Sequence, residues 1–168
     1  VIKSPVAGTV IDRKIEPVVE ALRDAGARVV GLDIQIVDDI DHVLWAKFIT
    51  VSAFSGATSL MRCGIGPIFV NPESRIFLEQ LRDEGMAVAA AAVHKMAEDY
   101  KEQAISLWKS FPAETKSSMA IDLGRGKPIE IAWLSGRIHA LGRELGVMTP
   151  AHTAVYRALH LHAVGAPL

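Results

Sequence analysis

From Asp41 to the end of the chain, apolar residues return at intervals of three and four, the period of an α-helix rather than the alternation of a strand. The clearest stripe is Ile131, Leu134, Ile138, Leu141 and Leu145, spaced 3, 4, 3, 4. A chain patterned this way has one apolar stripe per helix and can bury it only by packing helix on helix. Asp41 caps a segment carrying Val43, Leu44, Trp45, Phe48, Ile49 and Val51. Apolar residues lie on most of its sides, so this helix is expected to be buried. Gly64, Gly66 and Pro67 break the stretch between residues 61 and 70. Asn71-Pro72-Glu73 reads as a helix start with proline in the first turn. That helix is expected to run to about Tyr100, with Phe77, Leu81, Glu84, Val88 and Ala91 on one face. One or two short helices are expected around Pro112, and Gly124-Arg125-Gly126-Lys127-Pro128 is a turn. Gly146 ends the Ile131 stripe and Thr149-Pro150 opens a last helix.

The first residues read differently. Residues 1–11 are β-branched and read as a strand. Asp12 caps a helix to about Ala25, Gly26 stops it, and residues 27–34 read as a second strand. The expected fold class is therefore mainly α. A helical bundle domain covers 39–168, preceded over 1–38 by a strand–helix–strand remnant that looks like the tail of an α/β sheet domain; the family resemblance given below implies that this domain binds a nucleotide. The chain begins at Val1 rather than at methionine, so it is expected to be a piece of something longer.

Composition narrows the function. The chain is 50% apolar with mean hydropathy +0.26, which suggests apolar surface covered by a partner. A net charge of −1 gives no long-range attraction to nucleic acid or to an acidic membrane. The apolar run over residues 86–93 is far shorter than the ~20 residues a spanning helix needs, so no membrane partner is expected. Cys63 is alone, which rules out an internal disulfide and a thiolate zinc site and fits a reducing, cytoplasmic setting. His160 and His162 stand two apart on a helix and point to different faces, so no metal site is expected. Gly64-Ile65-Gly66 looks like half a dinucleotide fingerprint, but Phe69 fills the third glycine position and no strand leads into it.

A few polar residues interrupt apolar faces. Lys47 sits in an apolar helical pattern, where desolvation lowers a lysine's pKa and lets it donate a proton near neutral pH. The plainer account is a packed stem with its amine in water. Glu130 lies two residues after Pro128, in the first turn of its helix, where free N–H groups favour a carboxylate. Ser117 and Ser118 could bind a carboxylate or hydroxyl, or simply bond their own backbone. Glu84, between Leu81 and Val88 on one face, calls for a partner, expected to be Arg82, Lys95 or a cation from another helix. His152 is placed to help cap the last helix.

Taken in order, Leu44-Trp45-Ala46-Lys47, Arg82-Asp83-Glu84, Ser117-Ser118-Met119 with Asp122-Leu123, Gly126, Glu130-Ile131, Gly136, Gly142, Gly146-Val147 and Thr149-Pro150 resemble the C-terminal half of ketopantoate reductases (2-dehydropantoate 2-reductases). The resemblance spans residues 33–161. It implies a helical domain that closes over the substrate of an N-terminal Rossmann domain carrying NADPH. It implies Lys47 as general acid toward the keto oxygen, Glu130 beside lysine and substrate, and Ser118 binding the substrate. Val51, Ser55 and Thr115 stand where the family often has asparagine. Ser55 and Thr115 are thus further substrate-binding candidates, and the substrate expected is a small 2-oxo acid, not necessarily ketopantoate.

The leading expectation is the substrate-binding and catalytic half of an NADPH-dependent 2-oxo acid reductase, forming a homodimer through its helical domain. The alternatives are a helical dimerisation module, or another C-terminal domain of the β-hydroxyacid dehydrogenase type.

Overall fold

The computed structural model describes residues 39–167 throughout and, ahead of them, the backbone of two short strands. β1 (Ile2–Lys3) and β2 (Thr9–Val10) pair antiparallel, with Ile2 opposite Val10 and Lys3 opposite Thr9. The strand read over residues 1–11 is thus two strands. The helix expected over 12–25 and the strand expected over 27–34 lie outside the described residues. The chain divides into two compact units, Val1–Ile40 and Asp41–Leu168. The helices below belong to the second.

Among the described residues, seven α-helices follow in order: α1 (Ile40–Met61), α2 (Ile65–Val70), α3 (Pro72–Ala91), α4 (Tyr100–Ser110), α5 (Ser118–Gly124), α6 (Ser135–Leu145) and α7 (Pro150–Leu159). Short 3-10 turns, Glu130–Ala132 and His160–His162, precede α6 and follow α7. The core is built from Ile49, Ile65, Leu78, Leu81, Trp108, Met119, Ile131 and Val155, all essentially buried.

α1 is the central element, and its second half explains why. Ser52, Ala53, Ser55, Gly56, Ala57, Thr58 and Ser59 are all buried and all small. A Cβ added at Gly56 would lie 3.2 Å from Ser135 Oγ, 3.4 Å from Val155 Cγ1 and 3.5 Å from Leu81 Cδ1, so α3, α6 and α7 converge on this turn. Thr58 Oγ1 meets Ser117 Oγ at 2.9 Å, which brings in α5. By length and composition α1 could cross a bilayer, a property that core helices share. Its first half is less enclosed: Val43 is 41% exposed and Lys47 is exposed. The burial expected for the whole helix therefore holds only where α3, α5, α6 and α7 meet it. Asp41 lies inside the first turn rather than ahead of it, where its carboxylate suits the helix dipole.

The other boundaries follow local chemistry. Asn71 caps α3 by accepting from Ser74 N–H at 3.0 Å, with Pro72 at the first position. Ser117 caps α5 by accepting from Ala120 N–H at 3.1 Å. Gly146 ends α6 with φ +70°. The stripe from Ile131 to Leu145 is not one helix, because Leu134 (ψ −101°) breaks it between the 3-10 turn and α6. The long helix expected to reach Tyr100 stops at Ala91. Val93 takes φ +67°, His94 N–H returns to Ala89 O at 2.8 Å, and the chain restarts as α4.

Gly64 and Gly66 have a structural explanation. Ile65 N–H donates to Thr115 O at 3.0 Å and Gly66 N–H to Ala113 O at 2.8 Å. A Cβ on Gly64 would sit 2.5 Å from Ala113 O, and one on Gly66 would sit 2.5 Å from Ala113 Cβ. The segment over residues 113–115 occupies the space that these glycines leave.

Candidate functional site

Lys47 lies on the open half of α1. Beside it, among the described residues, runs a groove of about 520 Å³ lined by α1 and α4 with the connection before α4. Val43, Ala46, Val51, Ala97, Ala104 and Leu107 give it apolar walls, and His42, Lys47, Thr50, Tyr100 and Gln103 give it polar groups. Lys47 is exposed, which fits the account with its amine in water rather than the desolvated one, because α4 faces this half of α1 across an opening rather than packing over it.

Tyr100 holds the two walls together. Its hydroxyl donates to Ala46 O at 2.9 Å, the carbonyl of the peptide that leads into Lys47. With that proton committed, the 2.7 Å bond between Thr50 Oγ1 and Tyr100 Oη runs from threonine to tyrosine. The ring is 4% exposed, and burial pushes the phenol up from its ordinary pKa, with the Thr50 bond and the nearby Arg82 charge opposing. Arg82, itself 3% exposed, is clasped by Asp83, which also meets Lys101 Nζ at 3.0 Å and so ties α3 to α4. Sequence reading missed Tyr100 and Thr50. The available signal was Thr50, a hydroxyl three residues after Lys47 in an otherwise apolar segment.

The remaining candidates gather further along α1. Ser55 is 3% exposed. Ser118 is exposed at the first position of α5, next to the buried Ser117 that meets Thr58. Thr115 is half-buried, and its carbonyl holds α2. Glu130 is exposed and opens the 3-10 turn instead of an α-helix, and its carbonyl accepts from Trp133 and Leu134 N–H. Ser135, five residues on, is at Gly56. The elements bearing Ser118 and Glu130 thus reach α1 around residues 55–58, which is ~12–16 Å along the axis from Lys47 at 1.5 Å per residue. Neither Glu130 nor Ser118 lines the groove beside Lys47.

Two other residues have structural roles unlike those expected. Among the described residues, Glu84 pairs with no cation. Its carboxylate accepts from Ala151 N–H at 2.7 Å and His152 N–H at 2.9 Å, capping α7 from α3. Burial raises its pKa, and the two backbone bonds oppose the rise. His152 does not cap α7 with its side chain. The ring is fully buried, with Nε2 2.9 Å from Leu81 O and Nδ1 3.1 Å from Ser135 Oγ. Burial pushes its pKa down to about 4. The neutral ring then donates from Nε2, and Ser135 donates to Nδ1.

Comparison with known proteins shows the family. The C-terminal domain model of ketopantoate reductase PanE/ApbA matches residues 39–163. The chain belongs to the ketopantoate reductase C-terminal family. It is 32% identical over 146 residues to the 2-dehydropantoate 2-reductase of Archaeoglobus fulgidus, an alignment that covers 82% of this chain and 44% of that one. It resembles the dimeric ketopantoate reductase of Staphylococcus aureus with a TM-score of 0.72 and 26% identity, over 85% of this chain and 51% of that one. The 2-dehydropantoate 2-reductase of Methylococcus capsulatus gives a TM-score of 0.74 and 26% identity, over 90% and 46%. The chain spans about half the length of these relatives. The mainly helical fold expected of the family is the fold observed.

Among the described residues, no group of three His, Cys, Asp or Glu side chains is placed to hold a metal ion. The one glycine pair that resembles a phosphate loop is filled by backbone at residues 113–115.

Proposed function

We propose that this chain is the substrate-side half of an NADPH-dependent reductase of small 2-oxo acids, acting like a 2-dehydropantoate 2-reductase. The supporting observation is the family match over residues 39–163, with Lys47 at the edge of a groove of ligand size. In this reading the Lys47 ammonium gives its proton to the substrate's keto oxygen, and its charge offsets the developing alkoxide. The family resemblance assigns Glu130 and the exposed Ser118 hydroxyl to the substrate as well, although neither lines the groove beside Lys47. Ser55, buried, and Thr115, half-buried, are the further substrate-binding candidates of this reading. NADPH is assigned to a nucleotide-binding domain of which residues 1–38 are the tail, and the setting is cytoplasmic. A homodimer through the helical unit belongs to the same reading. Trp133 (76% exposed), Met148 (83%) and Leu161 (70%) are apolar surface such a contact would cover.

The test is NADPH oxidation with ketopantoate and other 2-oxo acids by the longest polypeptide that carries this domain. Lys47→Ala is expected to lower turnover at least ~100-fold. Near-normal turnover would reject the role of Lys47. A dimer that binds no 2-oxo acid would favour a helical dimerisation module instead, the reading that the same exposed apolar side chains support.

A further inference from the structure

The 3-10 turn at Glu130 and the helix at Ser118 each carry an exposed apolar side chain beside the polar one. In the turn Glu130–Ala132, Trp133 N–H returns to Glu130 O at 3.0 Å. Side chains three apart eclipse in this geometry, so Glu130 and Trp133 project from one side of the turn. Burial agrees: Glu130 and Trp133 are exposed, whereas Ile131 and Leu134 are buried and hold the turn to the core. α5 repeats the arrangement, with Ser118 and Ile121 as neighbours on its open side while Met119 and Leu123 are buried. Ser117 and Ser135, which adjoin these residues, meet α1 at Thr58 and Gly56, within one turn of each other. Among the described residues, the side chains of Ser118, Glu130 and Trp133 make no hydrogen bond or ion pair. Capping and packing therefore do not account for this face. Trp133 is 76% exposed, although an indole is among the side chains that gain most from leaving water.

We propose, resting on the reductase reading above, that Trp133 is a substrate-contacting residue, its indole shielding from water the 2-oxo acid held by Glu130 and Ser118. Ile121 adds apolar surface on the Ser118 side. With water displaced by the indole, the polar contacts from Glu130 and Ser118 act in a lower dielectric and hold the acid more strongly. A homodimer contact would also cover an exposed indole. It gives no reason for the indole to eclipse Glu130, or for Ile121 to repeat the pairing beside Ser118.

The experiment uses the longest polypeptide that carries this domain. Ketopantoate and 2-oxoisovalerate are titrated by calorimetry, and quenching of tryptophan emission by acrylamide is followed with and without each acid. The difference between wild type and Trp133→Phe isolates the Trp133 emission from that of the buried Trp108 and of Trp45, which stacks on His94. Each acid is expected to protect the Trp133 component from acrylamide. Trp133→Ala is expected to weaken both acids at least ~10-fold, and Trp133→Phe, which keeps a ring, less than ~3-fold. At this exposure neither change should move the thermal melt. If Ser118→Ala and Glu130→Gln weaken the acids while Trp133→Ala does not, the contact is refuted and the reductase reading stands. A Trp133→Ala protein that loses its dimer and keeps its affinity for both acids gives the indole to a second copy and refutes the contact as well. If neither acid binds the wild-type polypeptide, the reductase reading fails and the contact with it.

Discussion

His152 should give this protein an acid-sensitive step in stability that a single substitution removes. The ring is fully buried between Leu81 O and Ser135 Oγ, and its pKa falls from the ordinary 6.5 to about 4. The unfolded chain takes up a proton on this ring below about pH 6.5, whereas the folded chain resists until about pH 4. Between those values the unfolded state holds more protons, so stability falls as pH falls. A difference of about 2.5 units at 1.36 kcal/mol each gives about 3 kcal/mol, lost progressively between pH ~6.5 and pH ~4. Against a typical total of ~5–15 kcal/mol this is a large loss.

Glu84 faces the same turn and works in the opposite direction. Its raised pKa means that the folded state binds a proton before the unfolded state does, which adds stability as pH falls through that range. It is only part-buried, so water screens its contribution, and it is common to both proteins in the comparison. The assay is urea unfolding of wild type and His152→Gln at several pH values from neutral to about 4. Glutamine keeps an N–H for Leu81 O but cannot titrate. The wild-type curve should fall by about 3 kcal/mol more than the variant's over that window. Parallel curves would show that the buried imidazole is not neutral in the folded state.

Other substitutions probe the frame. Val93 holds φ +67° with its side chain 90% exposed, so Val93→Gly removes strain without removing packing and should stabilise by ~1 kcal/mol in a thermal melt. Gly64→Ala would press a Cβ to 2.5 Å from Ala113 O, and the backbone must move; a loss of ~1–3 kcal/mol in denaturant unfolding is expected. Tyr100→Phe deletes the bond to Ala46 O and leaves Thr50 without its partner. It should cost ~1–3 kcal/mol and speed amide hydrogen exchange in the first half of α1, while amides around Gly56 stay protected.

Much of this fold was legible because helix boundaries are local chemistry. Asn71-Pro72, Gly146 and Thr149-Pro150 each act within one turn of the chain, and the structure begins or ends a helix at each. The end of α3 was not legible. Its alanine run has no stop residue, and the left-handed turn is taken by an exposed valine that local preference would reject, closed by the bond from His94 N–H back to Ala89 O. The partners of Glu84 were hidden for another reason. They are backbone N–H groups 67 and 68 residues away, which carry no side-chain signature in sequence. Whether Lys47 is covered stayed open in the sequence, because periodicity reports which face is apolar and not whether another helix covers it. Tyr100 was passed over as the end of a helix that actually stops at Ala91, so its hydrogen bonds to Ala46 and Thr50 had no sequence counterpart.

These details divide α1 into two regimes. From Ser52 onward, side chains no larger than threonine line its buried face, and Gly56 receives α3, α6 and α7 at one turn. Glu84 fixes the N-terminus of α7 to α3, and His152 links α7 to α3 and to Ser135 on α6, so the three helices are cross-bonded where they meet α1. That half has little freedom to shift. Before Ser52 the helix is held to α4 by the Tyr100 hydroxyl network, and it is here that Lys47 projects. A lysine on a free helix end would sample many positions, whereas one whose preceding carbonyl is bonded to a buried tyrosine keeps its backbone fixed. Positional accuracy within about 1 Å is what proton transfer demands of a general acid. If Lys47 has that role, the rigidity of the second half and the Tyr100 bond act together: the first sets the direction of α1, and the second sets where along the groove the amine emerges.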